Sequence, residues 1–366
     1  MKVSFPHLGM LYVYLQPYIN SLGMEAVVPP PTSKRTLDIG VRHCPELTCT
    51  PCKIIFGNYV EALEHGADTL IMLGGMGACR LGYSVRAQRD KLLALGFQFQ
   101  AVTFSLLDAQ ADLVRVNRFL TGKSLFGALD SIRLLIDAMR AVDSLEQLAL
   151  TVRPRELQRG ETDRILREAW HAMECCRTRD DVRLFGQTYR EKLAAVPCDP
   201  SREVLRIALV GDPFSILDAF FNMDIEKKLG RLGVEVNRWF WLGGSLDLFP
   251  IKDWLGLSRQ KRAARLARQY VRGDIGGFAF STVGETILLS QEGYDGLIHL
   301  APFNCTPEVV AENVLLAYER HSPVPILNLS FDEHTSDAGI STRVEAFTDL
   351  LHHRRALRAR EAGGVQ

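Results

Sequence analysis

The stretch Leu205–Pro213, LRIALVGDP, reads as a strand that stops at a Gly-Asp-Pro turn. An apolar run of strand length closed by Gly and Pro is the start of a β–α unit. Downstream the pattern keeps alternating. A helix to Leu229 precedes the strand VEVNRWFW, and a helical pair leads to IGGFAF and a helix over Val283–Gln291. The strand DGLIHLAPF, a helix from Thr306, the strand PVPILNLSF and a long helix from Thr342 complete this half. Upstream the same alternation recurs: strand Val3–Phe5, a helix, strand Ala26–Val28, helix Gly57–His65, strand Thr69–Leu73, a helix near Tyr83–Leu95 and strand Phe97–Phe104. Strands alternating with helices predict an α/β fold with mostly parallel sheets flanked by helices. From about 106 to 195 strand signals vanish and long charged amphipathic stretches take over, and Pro197-Cys198-Asp199-Pro200-Ser201 marks a boundary. The expected organisation is an N-terminal α/β domain over 1–105, a helical connector or insertion over 106–200, and a second α/β domain with a C-terminal helix over 201–366.

A chain of 366 residues is long enough for two such cores. Lys plus Arg equals Asp plus Glu, at 43 each, so the basic excess of a nucleic-acid binder is missing. No apolar run approaches the roughly 20 residues of a membrane span. The N-terminal MKVSFPHLGMLYVYLQ has one Lys and no small-residue cleavage site, so it reads as a first strand rather than a signal peptide. Nucleic acid and membrane are therefore not expected as partners, and the expected location is cytoplasmic. The eight cysteines then point to metal or redox chemistry more than to a disulfide scaffold. An isolated Cys is ordinarily a small buried hydrophobe.

Three cysteines cluster as Cys44-x4-Cys49-x2-Cys52 in HCPELTCTPCK, ahead of the helix near Gly57. Cys79, in GGMGACRLG, follows the strand TLIML, and Cys305, in APFNCTPEVV, follows GLIHL. After Cys305, Thr306 is expected as N-cap, Pro307 as first helical residue, and Val310, Val314 and Ala317 as the buried stripe. At least two of these positions are strand-to-helix turns, the first looks similar, and in open α/β sheets such turns gather at the ligand-binding edge. A helix N-terminus favours a thiolate. An iron–sulfur cluster demands thiolates and tolerates scattered ligands, whereas a structural zinc normally takes two close pairs. Cluster, zinc and unrelated core thiols all stay open on spacing alone.

Several longer segments carry a resemblance. VVPPPTSKRTLDIGVRHCPELTC, GNYVEALEHGADTLIMLGGMGACRLGY, GYDGLIHLAPFNCTPEVVAENVL and ILNLSFDEHTSDAGISTRVEAFTDLL resemble the 2-hydroxyacyl-CoA dehydratase and benzoyl-CoA reductase superfamily. The nearest branch is that of acyl-CoA dehydratase activase-related proteins (CoA protein activase). The match covers both α/β units, roughly 1–104 and 203–355. It implies two Rossmann-like or flavodoxin-like domains with a [4Fe–4S] cluster in the interdomain cleft, held at Cys49, Cys79 and Cys305. Cys44 and Cys52 beside Cys49 leave room for a fourth ligand or a larger double-cubane-type cluster. The implied role is a cluster-bearing redox component of such dehydratases or reductases, an ATP-activated enzyme component. It would take low-potential electrons from a separate ATP-hydrolysing iron–sulfur activase for a reduction or a radical dehydration. An acyl-CoA substrate and a homodimer, or a heterodimer with a paralogous subunit, are further implications. The alternative is a non-catalytic scaffold or regulatory partner of an activase with a structural cluster or zinc; cluster assembly or transfer is a third option.

Other motifs carry less. LTGKS, Leu120–Ser124, lacks the first glycine of a phosphate loop, which is Asn117 here, and after Gly75 and Gly77 the third glycine of a dinucleotide fingerprint is Arg80. Arg80 is a candidate donor to cluster sulfides or a helix-start ion pair, and Gly276 and Gly277 permit a close backbone approach or an ordinary turn. Asp332, Glu333 and His334 read as capping and solvated residues before a metal or proton-relay group. Arg343 and Glu345 read as structural pairing. Lys261, Arg265, Arg268 and Arg272 read as a solvated basic face before a docking face. Cys175 and Cys176 are adjacent in a helix and read as structural.

Overall fold

The computed structural model describes residues 1–75, 79–106, 108–122, 129–245, 258–273 and 276–363. Strands β1 (Lys2–Ser4), β2 (Glu25–Ala26), β3 (Thr69–Leu73) and β4 (Gln100–Phe104) form one parallel sheet in the order β2-β1-β3-β4. Strands β5 (Leu205–Gly211), β6 (Val234–Arg238), β7 (Gly296–Pro302) and β8 (Ile326–Phe331) form a second, in the order β6-β5-β7-β8. Every pairing in both is parallel. The α/β reading of two parallel-sheet units is therefore what the chain adopts, and helices cover the sheets because parallel strands bury both faces.

Between β4 and β5 the described elements are helices Ala109–Thr121, Leu129–Val152, Glu161–Met173 and Arg179–Ala194, with a short 3-10 turn after the second. The helix Leu129–Val152 ties both sheets together. Its apolar residues Leu135, Met139 and Val142 share one core cluster with Phe5 and Leu70 of the first unit and with Ile207, Leu209 and Leu329 of the second. The period-2 rule sorts β5: Ile207 and Leu209 face that shared core, while Ala208 and Val210 join a smaller cluster with Ile287, Leu297 and Ala311 on the opposite face. The buried Arg238 guanidinium adds a polar tie, meeting Glu146 of the long helix at 2.9 Å and Glu226 of the second unit. Asp143 Oδ2 accepts from the Gly243 N–H at 2.8 Å.

Several local readings are corrected. The helix read from Gly57 starts at Thr50 and runs to Glu64. Gly57 is not its boundary but the point where helix Lys34–His43 crosses it. A Cβ on Gly57 would sit 2.0 Å from Thr36 O, and one on Gly40 would sit 2.0 Å from Lys53 O. The helix after β7 spans Thr306–Glu319 with Cys305, not Thr306, as N-cap. Its buried face is Glu308, Ala311, Leu315 and Tyr318; Val310 is exposed, Ala317 too, and Val314 is half-buried. The C-terminal helix begins at Asp337 rather than Thr342. The helix Arg259–Ala267 ends before Arg268, so the basic residues do not form one continuous helical face. Lys123 and Ser124 of the LTGKS segment, and Gly77 of the glycine motif, lie outside the described residues. Among the described residues no helix is long and apolar enough to cross a membrane.

Candidate functional site

In both sheets the first and third strands are neighbours at the centre, so each sheet has a switch point where its loops diverge, the usual ligand position in such folds. The two switch points open onto one cavity, with about 560 Å³ of space between atoms. Leu8 reaches it from the turn after β1, Cys79 from the turn after β3, Asp212 from the turn after β5 and Cys305 from the turn after β7. Cys49 completes the thiol set from the start of the helix Thr50–Glu64. Cys49 thus sits in a helix–helix turn, not the strand-to-helix turn its surroundings resembled.

Each of these three cysteines is the N-cap residue of its helix: Cys49 before Thr50–Glu64, Cys79 before Arg80–Ala94, Cys305 before Thr306–Glu319. Pro51 and Pro307 occupy the second helical position of two of them, where a missing N–H costs nothing. The thiols stop short of full capping bonds. Burial pushes all three thiols up, and the backbone N–H groups three residues on, at Cys52, Gly82 and Glu308, pull back part of that rise. The helix N-termini therefore do not win by themselves: without a cation the three residues are neutral thiols, and a thiolate set here requires positive charge bound between them. Gly277, at φ +54°, brings backbone against this site; a Cβ there would lie 3.0 Å from the Pro307 ring and 3.9 Å from Cys79 Cβ.

Cys44 and Cys52 line no part of the cavity. Their sulfurs hydrogen-bond each other, which lowers Cys44 and raises Cys52. Cys52 Sγ also meets Ser84 Oγ at 3.2 Å and accepts from Gln88 Nε2 at 3.0 Å. Cys175 is exposed, Cys176 buried and Cys198 half-buried, all outside the cavity. Among the described residues no group of three or more His, Cys, Asp or Glu side chains is spaced for a single metal ion.

The second unit contributes acid. Burial, and then the Glu308 carboxylate, push the Asp212 carboxyl up to about 7, while its Oδ2 accepts from Ser215 N at 3.1 Å and Ser215 Oγ at 3.3 Å. Glu308 accepts from Thr282 Oγ1 at 3.1 Å and meets His299 Nε2 at 3.0 Å; His299 Nδ1 meets Asn328 Oδ1 at 3.1 Å. Sequence reasoning passed over Asp212, Glu308 and His299. A Gly-Asp-Pro turn after a strand, a Glu in the first turn of a cysteine-capped helix and a His inside an apolar strand were the available signals.

Glu333 is neither solvated nor a relay. Its carboxylate accepts from Lys53 Nζ at 2.7 Å and Thr50 Oγ1 at 3.2 Å, and Lys53, itself buried, also donates to Glu46 O at 2.9 Å. The second unit thus holds the first turn of the helix that Cys49 caps. Asp332 accepts from Thr335 Oγ1 and the His334 N–H, as a turn cap. Arg80 Nη1 donates to Leu47 O, binding the two cysteine loops of the first unit to each other, and Arg343 Nη2 donates to Asn328 O at 2.7 Å.

Residues 7–72 match the family model of the CoA enzyme activase uncharacterised domain (DUF2229). The matched segment carries Cys44, Cys49 and Cys52 and stops inside β3, ahead of Cys79. It relates the chain to the CoA activase and dehydratase-related proteins without choosing a branch among them. No curated protein matches the chain.

Proposed function

We propose that the chain is an iron–sulfur redox protein holding a [4Fe–4S]-type cluster on Cys49, Cys79 and Cys305. It takes low-potential electrons from an ATP-hydrolysing iron–sulfur activase, for a reduction or a radical dehydration in the acyl-CoA dehydratase-related system. The observation that carries this reading is the convergence of three helix-capping cysteines, from both units, on one buried cavity at two facing switch points. The donor set fits the group: three thiols, no Lys or Arg among the described lining residues, and an N–H three residues on from each sulfur. The match to a CoA enzyme activase domain supports the link to an activase partner.

A bound cluster would supply low-potential one-electron chemistry. The chain's own residues do the rest. The amides of Cys52, Gly82 and Glu308 stabilise charge on the sulfurs. Leu8, Leu73, Leu81 and Leu106 exclude water from the first-unit side. Asp212 holds a proton at the cavity wall, and Lys53 with Glu333 keeps the two units registered. The active assembly is a homodimer or a heterodimer with a paralogous subunit, and the substrate is an acyl-CoA.

The test is iron and acid-labile sulfide per chain after anaerobic purification. About four of each in wild type, lost in Cys49→Ala, Cys79→Ala and Cys305→Ala, is expected. A content near eight that falls in Cys44→Ala or Cys52→Ala would establish the larger cluster. Zinc, or no metal in protein never exposed to air, would overturn the redox reading and favour the scaffold role.

A further inference from the structure

The turn after β1 serves two spaces. Leu8 lines the cysteine cavity, while its neighbours His7 and Gly9 line a separate pocket of about 420 Å³ that opens to solvent. Three parts of the chain build that pocket. They are this turn with the proline run after β2, the face of helix Glu161–Met173 that carries Arg167 and Trp170, and residues 217–220 of the second unit. The turn packs directly on the second unit: a Cβ on Gly9, at φ +54°, would lie 3.0 Å from Leu217 Cβ. No cysteine is among the described lining residues.

His7 gives the pocket its chemistry. The residue is only 8 % exposed, and its Nε2 lies 3.0 Å from Pro29 O and 2.9 Å from Pro30 O. Both partners are acceptors, so Nε2 must carry the ring proton. Prolines have a fixed φ and no N–H, so the run offers the imidazole carbonyls alone and holds them in place. Burial lowers the imidazole from its ordinary value, which keeps the ring neutral at physiological pH. Nδ1 is therefore left with a lone pair, and no hydrogen bond among the described residues takes it. Pinning one ring nitrogen to backbone carbonyls is how proteins aim the other at a ligand.

The surroundings suit a planar guest with charge at one end. Tyr12 stands edge-on to the imidazole with ring centroids 5.6 Å apart, and Trp170 and Phe220 are further aromatic walls. On the helix side the exposed Arg167 has no ion pair among the described residues, whereas His171 next to it meets Glu174 at 3.6 Å. Apolar walls with a few aimed polar groups are the composition of a small-molecule site.

We propose that this pocket binds an aromatic monoanion carrying one N–H or O–H donor. The donor meets His7 Nδ1, the ring lies among Tyr12, Trp170 and Phe220, and the anionic group meets the Arg167 guanidinium. The site stands apart from Cys49, Cys79 and Cys305 and does not depend on what those thiols hold.

Indole-3-propionate is the probe, titrated into the full-length protein by ligand-observed NMR. Two relatives dissect it: 1-methylindole-3-propionate lacks the N–H, and 3-methylindole lacks the carboxylate. Indole-3-propionate binds wild type most tightly, and loss of either group weakens binding about three- to tenfold, the worth of one net hydrogen bond. Arg167→Met removes the preference for the carboxylate and leaves the N-methylation penalty in place; His7→Phe does the reverse. Should His7→Phe fail to fold, the exposed Arg167→Met still decides. Three results overturn the proposal: no probe binds up to its solubility limit, N-methylation costs nothing in wild type, or the carboxylate preference survives Arg167→Met. Repeating the titration on Cys305→Ala separates this site from the cluster reading. Indole-3-propionate binding persists there whatever becomes of the metal content, and its loss from a folded Cys305→Ala protein would also overturn the proposal.

Discussion

The two sheet units follow one plan, and they differ at one corner of the cavity. In the first, β1, a helix, β2, the helix pair Lys34–His43 and Thr50–Glu64, β3, a cysteine-capped helix and β4 follow in order. In the second, β5, short helices, β6, the pair Arg259–Ala267 and Ala279–Ser290, β7, a cysteine-capped helix and β8 do the same. Cys79 and Cys305 occupy equivalent places as N-caps after the third strand. The equivalent of Cys49, N-cap of the second helix of the pair, is Phe278, which also lines the cavity. A two-fold arrangement that would present four thiols presents three and a phenyl ring. The walls differ too: the first unit offers leucines, the second Asp212 and Glu308. Among the described lining residues the thiols are thus shared between the units, while the carboxyls come from one.

The largest expected effect comes from prising apart the helix pairs. Gly57→Ala puts a Cβ 2.0 Å from Thr36 O, and Gly284→Ala puts one 2.3 Å from Ala263 O. Each should cost about 3 kcal/mol by chemical denaturation. Only Gly57→Ala should also lower iron content, because its helix carries Cys49 while the other carries Phe278. Equal iron loss in both would break the asymmetry. Next is Phe278→Cys, which removes a half-buried ring packed on Trp239 and Phe240 and should cost about 2 kcal/mol. Iron should be retained and should leave to a chelator more slowly than from wild type; faster loss would show that the two corners are not equivalent.

The smallest effect is in pH dependence. In the first unit the buried Glu61 is paired with Arg35 at 3.1 Å. In the second, Asp218 has backbone N–H partners alone among the described residues, Phe221 N at 2.8 Å being one, and burial pushes its carboxyl up to about 6. Because the folded value lies above the unfolded one, its contribution is fully present below about pH 4 and is lost as pH rises through 6. Asp218→Asn should remove that decline and gain about 1–2 kcal/mol above pH 7. Denaturation midpoints between pH 4 and 8 check it; parallel curves for variant and wild type would refute it.

Much of this was legible in residue order, and the misses have physical causes. Cys79 and Cys305 were readable because each follows an unmistakable apolar strand. The start of the Cys49 helix was not, because Gly57 looks like a boundary when only the helix crossing explains a glycine there. The stripe on Thr306–Glu319 was displaced because Val310 and Val314 are as apolar as Ala311 and Leu315. The buried bond from His299 to Glu308 turns the helix toward the latter set. The repeat between the units escaped notice because it lies in the order of elements and in Cys79 and Cys305, not in similar residues along the helix pairs.

By itself the sequence determined the alternation of strands and helices, the strandless stretch between the two units and the candidate thiols, since these rest on local periodicity and turn chemistry. Tertiary structure alone decided that Cys49, Cys79 and Cys305 share one cavity while Cys44 and Cys52 stand apart. It also decided that Lys53 and Glu333, 280 positions apart, hold the units together, and that His7, Trp170 and Phe220 line one pocket. Those facts depend on how two sheets and a bridging helix pack, and no local pattern encodes a contact between surfaces that meet only once the chain has folded.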